Sequence, residues 1–143
     1  ELHREFHGTE APHVMLTEFM VCGTDLEQCE AEARQYQGKF VESNFYHYEF
    51  LGDHFKNVKG YDSYQQKAEI ARVSGIEGAI EGFMKAASWV TPDKILRGLE
   101  ERRALLGSFE LNVSFRFGGT PFDIAERSLK LFAKEVLPVL KSW

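Results

Sequence analysis

No apolar run in this chain approaches the roughly 18 residues that a membrane-spanning helix needs. No charged-then-apolar leader stands at its N-terminus either, so a cytoplasmic location and no membrane partner are expected. Basic blocks are also missing. With 17 basic residues against 22 acidic ones and a net charge of −5, the chain offers nucleic acid and anionic lipid little to hold. Cysteine is scarce: Cys22 and Cys29 are the only two, without metal-ligand spacing or a disulfide framework, and both read as packing thiols. His3 and His7 stand four apart, but no HExxH pattern or third ligand accompanies them, so no metal is expected. The first residue is Glu1, not Met, and the chain is expected to be processed or to be a piece of something longer.

What is present fits one α/β domain spanning 1–143, with 43% apolar residues for its core. The clearest signal lies near the end. Phe109, Leu111, Val113, Phe115 and Phe117 alternate strictly with Glu110, Asn112, Ser114 and Arg116, which is the period of a strand. Gly118 and Gly119 break it. Thr120 as N-cap, Pro121 as first helical residue and Asp123 in the first turn then predict a helix carrying Ile124, Leu129, Phe132, Val136 and Leu140 inward. The same grammar occurs once before: a short apolar run to Val90, then Thr91-Pro92-Asp93, a stripe through Leu96, Leu99 and Leu106, and Gly107 as the stop.

A third strand is predicted over 14–22, apolar on both faces except Thr17 and Glu18. Glu18 would need a partner, since a buried unpaired carboxylate costs several kcal/mol. Thr24 and Glu27 form a capping box, and a helix should run from there to about residue 43. From there the pattern changes. Residues 44–85 read as an insertion: an aromatic stretch with Phe45, Tyr46, Tyr48, Phe50, Phe55, Tyr61, His47 and His54, then a helix from Tyr61 to about Arg72 before Gly75, Gly78 and Gly82. His47 could serve as a general base, yet no nucleophile or orienting carboxylate can be assigned to it by spacing, and packing among aromatics is the plainer role.

Successive strand–helix units imply a parallel sheet. A polar face on the last strand suits a barrel interior better than the middle of an open sheet. Arg116, last on that face, would then sit at the mouth where barrel enzymes build their sites, as a fork for an anion or a carbonyl-rich ring. Pairing with a neighbouring carboxylate such as Glu18 is the alternative. An eight-stranded barrel takes about 250 residues, so this chain would be only its later part.

The stretch Thr91-Pro92-Asp93-Lys94-Ile95, the ending Ser114-Phe115-Arg116-Phe117-Gly118-Gly119, and above all the segment from Ala125 through Leu131-Phe132 to Pro138 resemble the C-terminal part of the bacterial luciferase-like, flavin-dependent monooxygenases. His47-Tyr48-Glu49 and Gly60-Tyr61-Asp62-Ser63-Tyr64 resemble the aromatic insertion of that group, and Val90 stands where its members usually carry glycine. The resemblance implies the C-terminal portion of a (β/α)8 TIM barrel, about three strand–helix units with an aromatic-rich insertion. It further implies an FMN-dependent monooxygenase that oxidises an organic substrate with O2, its reduced FMN supplied by a separate flavin reductase. Trp89 and Arg116 would lie nearest the cofactor, and His47, Tyr48 and Tyr61 would form a substrate lid or packing cover. The chain is then expected to dock against the N-terminal remainder of the barrel or a second copy of itself. A deazaflavin-dependent oxidoreductase of the same superfamily and a non-catalytic flavin-binding or dimerisation half-barrel are the alternatives.

Overall fold

Strand β1, Val14–Cys22, is the axis of the fold, because both other strands pair with it and with nothing else. The computed structural model describes residues 2–143; Glu1, and with it the expectation about the chain's start, lies outside the described residues. A short helix α1, Leu2–His7, precedes β1, and α2, Leu26–His47, and α3, Asp62–Ala86, follow it. Then come β2, Ser88–Val90, α4, Pro92–Leu106, β3, Phe109–Ser114, α5, Phe122–Glu135, and a closing turn of helix α6, Leu137–Leu140.

All strand pairs are parallel, as two strand–helix units in succession require. The order is β2-β1-β3. Met20, Val21 and Cys22 pair with Ser88, Trp89 and Val90 on one side, while Val14 through Phe19 pair with Phe109 through Ser114 on the other. Consecutive strands of a barrel would instead be neighbours in chain order. The reason for the difference is visible in the core. Met20 and Cys22 face Ile95 and Leu99 of α4 with Phe132 and Val136, whereas Val21 faces Cys29, Ala33 and Tyr36 of α2 with Met84 of α3. Helices therefore flank both faces of the C-terminal half of β1. The chain leaves β2, passes along the α4 face and returns on the far edge of β1, which is the winding of an open α/β sheet.

Boundaries follow local chemistry. Strand β1 occupies the span its apolar run predicts. Helix α2 begins one residue beyond the expected Thr24 cap: Asp25 is the N-cap, its carboxylate accepting from the Gln28 N–H at 2.8 Å. It also runs past residue 43 to His47, so the irregular part of the insertion is shorter than expected. Helix α3 does not stop near Arg72. Of its three glycines only Gly75 leaves helical geometry (φ 70°, ψ −179°), and the helix resumes after it. Gly107, at φ 74°, ends α4 in the left-handed conformation that favours glycine.

Strand β3 stops at Ser114, three residues before its alternation does. Phe109, Leu111, Val113 and Phe115 pack on the α4–α5 layer as the alternation demands. Phe117 instead turns into the opposite layer, with its ring centroid 5.4 Å from that of Phe19 and 6.3 Å from that of Phe40. The polar row is not enclosed in this chain: Glu110, Asn112 and Arg116 are exposed and Ser114 is half-buried. On the paired strand Thr17 and Met15 are exposed too, Met15 at 61%. Helices α2 and α3 reach only Phe19 and Val21 on that side. Among the described residues no helix is long and apolar enough to cross a membrane.

Candidate functional site

Chemistry-bearing residues collect in two places: the C-terminal end of the sheet, and the aromatic segment joining α2 to α3. At the first, the turn after β3 is fixed by its glycines. Gly118 has φ 55°, and a Cβ there would be driven into the backbone carbonyl of Tyr36 on α2, so only glycine lets the turn lie this close. Gly119 is also left-handed (φ 76°), but its missing Cβ would meet open space. Thr120 does not cap α5 with its side chain. Its hydroxyl donates to the Phe117 carbonyl at 2.5 Å, and Pro121 takes the N-cap position. This is a correction of one residue to the expected helix start, and it makes Thr120 a buried clasp for the turn.

Arg116 is exposed beside that clasp, its Nε donating to the Thr120 carbonyl at 3.4 Å. The remaining guanidinium nitrogens make no hydrogen bond or ion pair among the described residues, so a fork remains for an external acceptor. Glu18 is not its partner. That carboxylate lies on the other face, 2.5 Å from Arg102 of α4, and accepts from the Ser88 hydroxyl at 2.9 Å. Trp89 is half-buried in the α2–α3 layer, and its indole N–H is already donated to the Met84 carbonyl at 2.6 Å. Trp89 can offer a ligand ring surface but no hydrogen bond. For a flavin the fit is therefore partial: Arg116 suits a phosphate or ring carbonyl, Trp89 suits stacking only, and the other contacts must come from outside this chain.

Helix α5 fills much of the crevice beyond the strand ends. The Cys22 N–H donates to Ser128 Oγ at 3.3 Å, and Arg127 grips Glu32 of α2 at 2.5 Å. What remains is a cavity of ≈ 160 Å³ lined by Gly23, Thr24, Gln28, Cys29, Arg127 and Leu131. Both cysteines are buried and free. Burial pushes the Cys22 thiol up to about 12, with Cys29 adding to the effect, and burial then the Glu32 carboxylate raise Cys29. As neutral thiols they are poor nucleophiles. Beneath Phe19, Gln37 is fully buried; its Nε2 donates to the Phe19 carbonyl at 3.1 Å, and its Oε1 has no partner among the described residues.

At the second place the structure brings His47, Tyr48 and Tyr61 together. With Glu49, His54, Phe55 and Tyr64 they line one concavity of ≈ 360 Å³. Its centre is Phe55, which stacks on Tyr61 at 5.8 Å and on Tyr64 at 5.5 Å. The His47 ring lies edge-on to Tyr48, centroids 4.9 Å apart, and makes no side-chain hydrogen bond to another described residue. The aromatics thus pack on one another, while no described residue orients the imidazole for proton transfer. The described residues hold no group of three His, Cys, Asp or Glu arranged for a metal ion.

A larger cavity beside this one was not foreseen. It measures ≈ 600 Å³ and lies between α2 and α3 over Gly78 and Gly82. The signal for it was the small residues Ala71, Gly78, Ala79, Gly82 and Ala86 along one helix, of which the two glycines read as following the helix until the helix is known to continue.

No family model matches this chain, and no curated protein is significantly similar to it.

Proposed function

We propose that this chain supplies the C-terminal part of a flavin-dependent monooxygenase of the luciferase-like kind. It would oxidise an organic substrate with O2 and reduced FMN delivered by a separate flavin reductase, and work only when the remaining strands, or a second copy, complete the sheet. The observation that favours this is the polar row of β3 itself, Glu110 and Asn112, which no helix covers, followed two residues past the strand by the free fork of Arg116. A row of polar groups on an apolar-backed strand suits a wet or liganded interior. In such a barrel successive strands are neighbours, so assembly would move β3 from the edge of β1 to that of β2.

In this reading Arg116 binds the anionic or carbonyl-rich edge of the cofactor, Trp89 gives ring surface, and the cover of His47, Tyr48 and Tyr61 keeps water from the substrate. A bound reduced flavin would supply the activation of oxygen. The protein's share is orientation and exclusion of water.

The strand order β2-β1-β3, with helices on both faces, favours a second reading: a non-catalytic flavin-binding or dimerisation module. Open sheets wound this way bind ligands at the strand ends where the winding reverses, which here is the crevice between β1 and β3. Size-exclusion chromatography with FMN titration, followed by flavin fluorescence, separates the readings. Oxygenase function predicts flavin binding, weakened by Arg116→Ala, together with self-association or a need for the missing strands. A monomer that binds flavin without catalysing substrate oxidation supports the module. A stable monomer that binds no flavin contradicts both, and preference for a deazaflavin over FMN would move the chain to the related oxidoreductases.

A further inference from the structure

The ≈ 600 Å³ cavity between α2 and α3 has the size of a pocket for a small organic molecule. Gly78 and Gly82 line it together with Phe45, Phe50 and Tyr64. A Cβ at Gly82 would meet nothing within 4 Å, so the space over that residue is open. In a chain of net charge −5, its lining includes one cation, Lys67, and no carboxylate. Lys67 makes no ion pair among the described residues; its ammonium lies 5.5 Å from the centre of the Tyr64 ring. The Asn44 side chain donates one of its two amide hydrogens to the Phe40 carbonyl at 3.0 Å, and the Tyr48 and Tyr64 side chains also line the cavity.

We infer that this cavity binds an amphipathic organic monoanion, its apolar body over Gly82 and its charged end at Lys67. An anionic end gains the attraction of the exposed Lys67 ammonium, a neutral molecule gains none, and a cation would meet it as a like charge. Tyr48, placed in the lid above, also lines this cavity, but the inference needs no flavin and stands or falls apart from the oxygenase reading.

The test compares two probes of nearly the same shape: 8-anilinonaphthalene-1-sulfonate, and its uncharged parent N-phenyl-1-naphthylamine. Fluorescence titration of the full chain should show one site that prefers the sulfonate. Lys67→Met, at an exposed position, should weaken sulfonate binding by about fivefold or more and leave the amine nearly unchanged. Gly82→Leu should remove binding of both probes while far-ultraviolet circular dichroism holds or gains helix, since leucine is the better helix former. Equal affinity for the two probes, or sulfonate binding indifferent to Lys67→Met, overturns the inference. So does a Gly82→Leu variant that keeps the site but changes sedimentation behaviour, because the groove would then be a contact between copies.

Discussion

Arg102 Nη1 lies 2.5 Å from Glu18 Oε1, joining α4 to the middle of β1 through a carboxylate that is 9% exposed. Ser88 donates to the second oxygen at 2.9 Å, so the acid is held from two sides. Removing the guanidinium leaves a nearly buried charge with one neutral donor. Arg102→Met should therefore cost about 2–3 kcal/mol in urea unfolding, below the full range for buried pairs because Arg102 is partly open to solvent. The double variant Glu18→Gln, Arg102→Met should recover part of that loss. A cycle with no coupling would show that the pair contributes nothing to the fold.

The glycine pair after β3 should divide sharply. Gly119→Ala carries the left-handed backbone cost alone, about 1 kcal/mol, because its Cβ meets open space. Gly118→Ala adds a collision with the Tyr36 carbonyl and should exceed it by at least about 2 kcal/mol or force the turn off α2. Paired chemical denaturation of the two variants reads the difference directly. Equal losses would mean that the turn does not rest on α2.

Cys22 gives the fold an alkaline limit. Its folded-state value lies near 12, above that of an exposed thiol. The unfolded chain therefore releases this proton first as pH rises. The stability due to the neutral thiol is complete below about pH 9 and is lost progressively towards pH 12. Unfolding free energy measured across that window should fall for the parent chain and fall less for Cys22→Ala. Native Cys22 should also resist iodoacetamide at pH 8 and react once the chain is unfolded.

Much of this was legible in the residues, and the failures share one cause. Strand β1, the stop at Gly107 and the inward set Phe109, Leu111 and Val113 follow from periodicity and turn chemistry, which are local. The partner of Glu18 was not, because Arg102 is far along the chain and nothing local fixes which face α4 takes. Strand order is non-local in the same way: alternation says which side chains share a face, not which edge a strand joins. Phe117 shows the limit within one segment. Its place in the alternation puts it with Phe115, but the glycines that follow swing it into the opposite layer. Of the candidate site residues, His47, Tyr48 and Tyr61 come together through a loop and two helix ends that spacing alone does not fold, while the Trp89 indole N–H goes to the Met84 carbonyl, a contact no local pattern signals.

The arrangement of β1 beside β3, with Thr17 opposite Asn112 on an open face, is what makes this an open sheet and not the barrel order, in which β3 would lie beside β2. Adjacent strands stand about 4.8 Å apart, within disulfide reach, whereas strands separated by another are about twice that distance and beyond it. Mild oxidation of a Thr17→Cys, Asn112→Cys variant should therefore form a bridge in high yield, with the native buried thiols left reduced. Failure of that bridge to form would show that β2 or solvent lies between the two strands and would remove the basis for the open polar face.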